Sequence, residues 1–318
     1  MTGLTAAQST LADLSLALVY ASLGCLLGAG VAFALTFARS VTPTQPVAVL
    51  VGAGTVGAPV DSAAEAAAES TGGPADRGRL PARIGMALTW LATVLLAIAL
   101  VTRALSAGRA PWGNMYEFAL AGAAAALIAL LVVGYRRDVR WLGLWVVVPI
   151  ALLLGLAVSV LYTESGPLVP ALHSAWLVVH VGAAIVAFGA FTVGTAAALL
   201  MLIAQARPWF AARLPQAARL DALSYRCIAF AFPIWTFAVV AGAIWAESAW
   251  GRYWGWDPKE TWSLIVWVLY AGYLHARVTA GWRGGRAAIL AFLGYTAMVF
   301  NFFGVNILIP GLHSYSGL

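Results

Sequence analysis

Charged side chains are scarce in this sequence of 318 residues. Asp, Glu, Lys and Arg make up only 9% of it, against about a quarter of an ordinary soluble domain. A soluble domain of this length needs a charged surface, and a chain with 62% hydrophobic residues and a mean hydropathy of +0.89 does not supply one. The composition therefore excludes a soluble protein and predicts an all-α, polytopic integral membrane protein.

Lysine and cysteine are scarce as well. A single Lys accompanies 17 Arg, and the arginines lie in short clusters between apolar runs, which argues against nucleic-acid binding despite a pI of about 9.6. Cys25 and Cys227 are far apart and form no CxxC pair. We interpret them as small buried hydrophobic residues, so we expect no dithiol exchange by this chain. Without a CxxCH motif the chain is also no c-type cytochrome.

Long apolar runs are abundant. Eight segments approach the roughly 20 residues that a spanning helix needs: 14–37, 84–105, 114–134, 141–162, 171–203, 226–246, 259–276 and 287–309. Residues 40–83 are rich in small and polar residues and predict a flexible loop, with a weak amphipathic helix as the alternative. We therefore divide the chain into residues 1–83, a first spanning helix with a cytoplasmic loop, and residues 84–318, the main transmembrane domain.

Basic residues are distributed unevenly between the two sides of the predicted bundle. Only Arg103, Arg109, Arg252 and Lys259 lie on one side, and the other fourteen lie opposite. Since cytoplasmic loops hold the excess, both termini and the loops 162–172 and 247–258 should be extracytoplasmic. The first span lacks a basic leader and a cleavage site, so we interpret it as a retained helix. The preference for Arg and Ala is typical of a GC-rich bacterial genome, which predicts a bacterial plasma membrane.

Tryptophan is concentrated in one place. Six of the fourteen Trp lie between Trp245 and Trp267, more than the interfacial belt of a membrane protein requires, although a belt is the alternative interpretation. The Trp-rich loop, residues 245–262, presents flat aromatic faces, and its glycines allow close approach to a ligand. At its end, Asp257 can cap the next helix, Pro258 suits the first turn, and Glu260 completes a capping box.

The four histidines differ in predicted depth. His180 and His313 should lie at the extracytoplasmic side, near the Trp-rich loop, as should His173. His275 lies about 18 residues after Asp257, or roughly 27 Å along a helix, near the cytoplasmic face. A histidine pair with aromatic walls suits axial ligation of a porphyrin iron. For any one of the four, a buried histidine with a structural hydrogen bond is the alternative.

The segment from Trp245 to His275 closely resembles a known signature. It contains Trp-Gly-x-Tyr-Trp-x-Trp-Asp-Pro-Lys-Glu-Thr-Trp followed by Tyr-Leu-His-Ala-Arg, which is similar to the tryptophan-rich motif of the CcsA/ResC membrane subunit of system II cytochrome c synthase. Three further stretches agree with that family: Asn114-Met-Tyr-Glu117, Ser174-Ala-Trp-Leu-Val-Val-His180 and Leu312-His-Ser-Tyr315. The resemblance covers residues 84–318.

The resemblance implies a role in cytochrome c biogenesis, the covalent attachment of haem b to the CxxCH motif of apocytochrome c. It implies that His180 and His313 ligate the iron at the outer side, that His275 belongs to an inner haem site, and that reduced haem passes from the inner to the outer site. The ring would lie against Trp250, Trp254 and Trp256, with Asp257 beside it. No residue is assigned a catalytic acid or base role.

The same resemblance implies partners. The chain should be one subunit of a haem lyase, acting with a ResB-type membrane partner that carries a soluble domain, with apocytochrome c, and with a thiol-reducing thioredoxin-like protein. Two other functions use the same features. The chain could export haem without attaching it, or it could be a membrane scaffold that binds no haem and uses the Trp-rich loop as a docking surface.

Overall fold

The computed structural model describes residues 5–40, 79–166 and 174–313. Within these ranges the chain forms helices and no strand, as predicted. The predicted loop 40–83 lies, apart from its ends, outside the described residues, and so does His173. The helices are α1 Ala6–Arg39, α2 Arg79–Ala107, α3 Met115–Arg136, α4 Arg140–Ser159, α5 Ala175–Ala206, α6 Pro208–Ala211, α7 Ala217–Trp250, α8 Pro258–Val278, α9 Gly285–Val299 and α10 Val305–Leu308.

Seven helical segments in the described ranges are long and apolar enough to cross a membrane. They are α1 to α5, α7, and the segment Gly285–Leu308, which contains α9 and α10. This confirms the prediction of a multi-pass membrane protein. The predicted seventh span is present as the 21-residue helix α8, but it is less apolar than the others because it contains Lys259, Glu260, His275 and Arg277.

Hydrogen bonds between α1 and α2 show how the first two helices pack. The Ser15 hydroxyl donates to the carbonyl of Ala99, and the Ser22 hydroxyl donates to the carbonyl of Ala92. From the first pair to the second, the chain advances by seven residues in α1 and goes back by seven in α2, so the two helices are antiparallel along this contact. α1 also packs on α4, while α5 contacts α3, α7 and α9 and is the most enclosed of the candidate spans. The described part of residues 1–83 is thus joined to the rest of the bundle.

The long helices alternate in direction and place one set of ends together. We call this the tryptophan end. It comprises the start of α1, the α2–α3 connection, the end of α4, the start of α5, the α7–α8 connection and the residues after α10. His180, the Trp-rich loop and His313 all belong to this end, and the four basic residues of the less basic predicted side do too.

Two segments at this end differ from a simple helix-and-loop arrangement. α7 continues through Trp250, because Ala246, Glu247 and Ala249 favour helix, and it ends at Gly251 in the left-handed conformation, with φ of 71°. The irregular part of the Trp-rich loop is therefore limited to residues 251–257. The last predicted span widens after α9 into a π-helical turn, Phe300–Gly304, a geometry that is frequent at functional sites.

Candidate functional site

A largely apolar cavity lies at the tryptophan end, between α3, α5, α7, α8 and the π-helical turn. Its cavity volume is about 120 Å³, and the space between its walls reaches about 1100 Å³ when the open mouth is included. Its walls include Leu177, Trp235, Trp245 and Phe302, and His180 and His313 both line it. The structure thus brings together two of the three predicted iron ligands, which are 133 residues apart in the sequence.

His180 lies in the second turn of α5, where its ring reaches across to α7. Its Nδ1 atom lies 2.7 Å from the carbonyl oxygen of Ala238. Because a carbonyl oxygen only accepts, Nδ1 must carry the proton, and the lone pair of the neutral ring is then on Nε2. The contact requires a glycine at position 242, since a Cβ atom there would lie 2.7 Å from both Cε1 and Nδ1 of His180.

His313 follows α10 and is held by the first residues of α8. Its Nδ1 atom lies 2.8 Å from Oδ2 of Asp257, and the backbone N–H of Leu312 donates to Oδ1 at 2.7 Å. Burial raises the pKa of the Asp257 carboxyl, but the hydrogen bonds from His313 and Leu312 outweigh burial and lower it to about 2. The ionised carboxylate only accepts, so Nδ1 of His313 is protonated and its Nε2 is available to a ligand.

Asp257 also confirms the predicted helix start. Its carboxylate accepts from the backbone N–H of Lys259, Pro258 occupies the first turn, and the Glu260 side chain accepts from the backbone N–H of Asp257 in a capping box. Oε2 of Glu260 accepts from Gly255 as well, at 2.8 Å. The Asp257 carboxylate therefore both caps α8 and orients His313. The position of this histidine is thus fixed by a helix and not by a loop alone.

Trp245 packs against both histidines. Its ring is stacked on His180 with 8° between the planes and 6.3 Å between centroids, and it meets His313 edge-on at 5.6 Å. Only 2% of Trp245 is exposed, because it packs among Leu177 and Val181 of α5. The sequence includes Trp245 in the Trp-rich loop, but nothing in the sequence distinguishes it from its neighbours as the ring shared by the two histidines.

The three tryptophans predicted to wall the ligand occupy different positions. Trp250 contacts His313 edge-on at 4.8 Å, and Trp254 lines the cavity. Trp256 contacts Trp254 edge-on at 5.8 Å, but it is 67% exposed and does not line the cavity. Its φ of 59° is rare for a residue with a side chain.

His275 is not part of this site. It lies on α8 about five helical turns from Asp257, toward the other end of the bundle. Its side chain is exposed, on the same face of α8 as Val268, whereas Tyr273 is buried and Arg277 is directed to Asp221 at 2.6 Å. The structure therefore places His275 on a face of α8 that no described helix of this chain covers.

A buried charge cluster supports the cavity wall formed by the α2–α3 connection. Glu117 is fully buried, and it accepts from Nε of Arg103 at 2.9 Å and from a terminal nitrogen of Arg109 at 2.6 Å. It also accepts from the backbone N–H of Gly113 at 2.8 Å. Trp112 and Gly113 line the cavity beside it. Glu117 thus anchors this wall through its two arginine partners.

Sequence reasoning did not select several polar residues that line the cavity. These are Lys259, Asn301 and Asn306. One feature of the sequence could have identified Lys259, because it is the only lysine of the chain. The two asparagines carried none, since their placement depends on the π-helical turn. Among the described residues no three His, Cys, Asp or Glu side chains form a site for a bare metal ion.

Comparison with known proteins identifies the family to which the chain belongs. Residues 112–313 match the family described as "Cytochrome C assembly protein". The chain belongs to this family. The matched range begins at Trp112 and ends at His313, so the cytochrome c assembly region includes the whole cavity and leaves α1 and α2 outside.

Individual relatives agree with this assignment. The chain is 37% identical over 260 residues to the "Cytochrome c biogenesis protein CcsA" of Guillardia theta, covering 74% of this chain and 86% of the relative. It is 36% identical over 292 residues to the protein of the same name from Microcystis aeruginosa, covering 74% and 89%. The resemblance to the CcsA family in the sequence is thereby confirmed.

A solved structure shares the fold. The chain superposes on "Cytochrome c Heme Lyase CcmF" with a TM-score of 0.56 and 18% identity, covering 95% of this chain and 47% of that one. At this identity the likeness concerns the fold alone. This member of the cytochrome c assembly family therefore spans about half the length of that structure.

Proposed function

We propose that this chain is a subunit of a cytochrome c synthase that holds reduced haem b at the tryptophan end while apocytochrome c is attached to it. The observation that carries the proposal is that two histidines line one apolar cavity and make the same kind of hydrogen bond. In each, Nδ1 is committed to an acceptor, and Nε2 is the atom left for a metal. A haem iron already has four porphyrin nitrogens, so two imidazoles complete its ligand set.

The surroundings of the two histidines support a porphyrin as the substrate. The cavity is apolar over most of its surface, as a flat hydrophobic macrocycle requires. Trp245 and Trp250 supply aromatic faces or edges next to the histidines, and Trp254 contributes to the lining. The Asp257 carboxylate hydrogen-bonded to His313 fixes the tautomer and ring orientation and raises the basicity of Nε2, as carboxylate partners of metal-bound histidines do. Trp256 would contribute by contact with Trp254 and not by facing the ring.

The reaction follows from the chemistry of haem and of its protein substrate. The two thiols of the CxxCH motif add across the two vinyl groups, so that each sulfur bonds one vinyl carbon and the thiol proton is transferred to the other. The chain supplies positioning of the porphyrin, and reactivity resides in the vinyl groups and thiols. The substrate's own histidine then replaces one synthase ligand, which allows the product to leave.

The orientation and partners belong to the same proposal. The tryptophan end carries few basic residues and would face the extracytoplasmic side of a bacterial plasma membrane, where apocytochrome c is available and a thioredoxin-like protein keeps its thiols reduced. The exposed face of α8 with His275 would receive a ResB-type partner, and the second histidine of an inner haem site would come from that partner.

The test compares the wild type with histidine variants in two measurements, the absorption spectrum of bound haem and the amount of reporter cytochrome with covalently attached haem. The chain is co-expressed with a ResB-type partner and a reporter apocytochrome c, as wild type and as His180→Ala, His313→Ala and His275→Ala. We expect the two outer variants to lose the low-spin bands of reduced haem and the covalently haem-stained reporter, and added imidazole to restore the bands. Unchanged spectra in both outer variants would contradict the proposed ligands.

The same experiment separates the other two functions. Normal covalent attachment in His180→Ala and His313→Ala cells, with haem still delivered, would indicate an exporter whose product is attached elsewhere. Purified wild-type complex with no Soret absorption under reducing conditions would indicate a scaffold that binds no haem.

A further inference from the structure

Lys259 is the least expected group in the cavity. It occupies the first turn of α8, where the helix dipole favours acidic residues and disfavours a cation. The wall of the cavity that Lys259 shares includes the apolar rings of Trp235, Trp254 and Phe302, and also the side chain of Glu260. Lys259 is partly buried, and a cation that is partly withdrawn from water is unfavourable unless it acquires an anion or sufficient hydrogen bonds.

The hydrogen bonds of Lys259 do not provide that anion. Nζ donates to Oδ1 of Asn306 at 2.7 Å, a neutral acceptor. Of the two nearest acidic residues in sequence, Asp257 binds His313, and Glu260 binds two backbone N–H groups of the loop through Oε2, while its Oε1 has no hydrogen-bond partner among the described residues. Within the described parts of the chain, no carboxylate forms an ion pair with Lys259.

A further buried polar atom of the cavity lining lacks a hydrogen-bond partner in the described part of the chain. Asn301 lies in the π-helical turn, and only 3% of it is exposed. Among the described residues its Oδ1 atom accepts no hydrogen bond, although the residue lines the cavity. A buried amide without a partner is costly, and its NH₂ group is available to an acceptor if the amide turns over. Together with Asn306, it gives the apolar cavity one polar corner.

We propose that Lys259, held by Asn306 and accompanied by Asn301, forms a subsite for a carboxylate of the bound ligand, the propionate of a porphyrin. The proposal rests on the proposed function and deepens it. Ligand sites typically combine apolar walls with a few polar groups that fix orientation. Both propionates of haem extend from one edge of the ring, and both vinyl groups lie on the rings away from that edge. Binding of the propionate edge at Lys259 therefore directs the vinyl groups away from the start of α8, where the thiols of a substrate can reach them.

The subsite can be tested without iron. Metal-free protoporphyrin IX has two free carboxylates, which are methylated and therefore uncharged in its dimethyl ester, and without iron the histidines can ligate neither. Each is titrated into the full chain, purified in detergent, and binding is followed by quenching of tryptophan fluorescence. We expect the wild type to bind the diacid at least about tenfold more tightly than the diester, as loss of a charge-assisted contact implies.

Two variants identify the group responsible. Lys259→Met keeps the length of the side chain without its charge, and we expect it to bind diacid and diester equally, at the wild-type affinity for the diester. Lys259→Arg keeps the charge and should keep the preference. Equal binding of the two porphyrins by the wild type, or a preference that persists in Lys259→Met, overturns the subsite.

The outcome is independent of the proposed histidine ligation. Haem spectra that depend on His180 and His313, combined with no preference for the diacid, would leave the synthase function standing and remove the subsite. If the preference for the diacid depends on Lys259 and the haem spectra do not change in either histidine variant, the subsite would stand and the proposed histidine ligation would be wrong. The iron spectra and the metal-free titrations are therefore measured on the same preparations.

Discussion

Asp257 and His313 are joined by a 2.8 Å hydrogen bond between Oδ2 and Nδ1, across 56 residues of sequence. The bond connects the start of α8 to the segment that follows α10, and a second one, from the backbone of Leu312 to Oδ1, fixes the same segment. Because Asp257 is also the N-cap of α8, the helix and the histidine share one carboxylate. The aromatic loop between α7 and α8 is thus held at its last residue, Asp257, both by helix capping and by the segment that follows α10.

Replacement of this carboxylate by an amide should weaken haem binding. In Asp257→Asn, the side chain still accepts from Nδ1 of His313, but without charge, so the ring is less well oriented and Nε2 is less basic. We expect the affinity for reduced haem to fall about 10- to 100-fold, the range seen when the partners of metal-bound histidines are changed. Titration of the purified chain with reduced haem, read by the Soret band, measures it.

Glu247→Gln is the matched control for this variant. Glu247 is an exposed carboxylate of α7 at the same end of the bundle, and its neutralisation should leave the affinity unchanged. Equal losses in the two variants would attribute the effect to surface charge and not to the contact with His313.

The contact between Gly242 and His180 gives a steric prediction. A methyl group at position 242 would lie 2.7 Å from two ring atoms of His180, closer than side chains tolerate, and would separate Nδ1 from the carbonyl of Ala238. Gly242→Ala should therefore lose the low-spin haem spectrum as His180→Ala does, while the chain remains folded and elutes as a single species in detergent.

Gly182→Ala provides the control because it lies on the helix of His180, and a Cβ atom there meets nothing within 4 Å. It should bind haem as the wild type does. If Gly242→Ala retains the spectrum, the assigned position of the His180 ring is wrong. If Gly182→Ala loses the spectrum as well, the loss in Gly242→Ala is not specific to the contact with His180.

The sequence predicts the local features of this site and not its assembly. The Asp257-Pro258 capping motif follows from neighbouring residues, and the helices follow from apolar runs, so both are confirmed. The stacking of Trp245 on His180 depends on the packing of α5 against α7, which no short pattern encodes. The polar corner at Asn301 is equally inaccessible, since an apolar run of this kind predicts a continuous helix and not a π-helical turn.

The limits of the apolar-run argument are clearest in α8. This helix has the length of a span, but Glu260 and Arg277 place ionisable groups near both of its ends. Glu260 belongs to the capping box, whereas Arg277 pairs with Asp221 of α7, 56 residues earlier in the chain. Hydropathy identifies the helix through its central residues only, and the partners, such as Asp221 for Arg277, become apparent only from the fold.

The buried charge cluster around Glu117 predicts a large effect on stability. Glu117→Gln would leave Arg103 and Arg109 buried without a counter-charge, since no other acidic residue of the described ranges forms an ion pair with them. Removal of one partner from a buried ion pair typically costs about 3–5 kcal/mol. We expect a clear fall in the midpoint of thermal unfolding in detergent, together with weaker haem binding because Trp112 and Gly113 move.

Asp138→Asn serves as the comparison for that variant. Asp138 and Arg140 form an ion pair in which the side chains are 61% and 37% exposed, and exposed pairs contribute at most about 1 kcal/mol. Its unfolding midpoint should lie close to that of the wild type. A midpoint for Glu117→Gln as high as that of Asp138→Asn would mean that the cluster does not hold this wall.

His275 gives a prediction that separates the two ends of the bundle. Its side chain is exposed and lies roughly 27 Å along α8 from Asp257, too far to influence the cavity directly. We expect His275→Ala to bind added reduced haem at the tryptophan end with wild-type affinity, because His180 and His313 are untouched. In cells that also contain the ResB-type partner, the same variant should form less haem-stained reporter cytochrome, because haem no longer reaches the outer site.

Val268→Ala tests whether the loss of any side chain from this face of α8 is enough to reduce the formation of reporter cytochrome. Val268 is 54% exposed and lies seven residues before His275, on the same face. If the face only contacts a partner helix, the two variants should reduce reporter formation alike. If His275 acts as an iron ligand, only His275→Ala should be defective, and imidazole supplied to the cells should restore it. A loss of haem affinity in purified His275→Ala would instead place this residue's influence at the outer cavity and contradict the separation of the two sites.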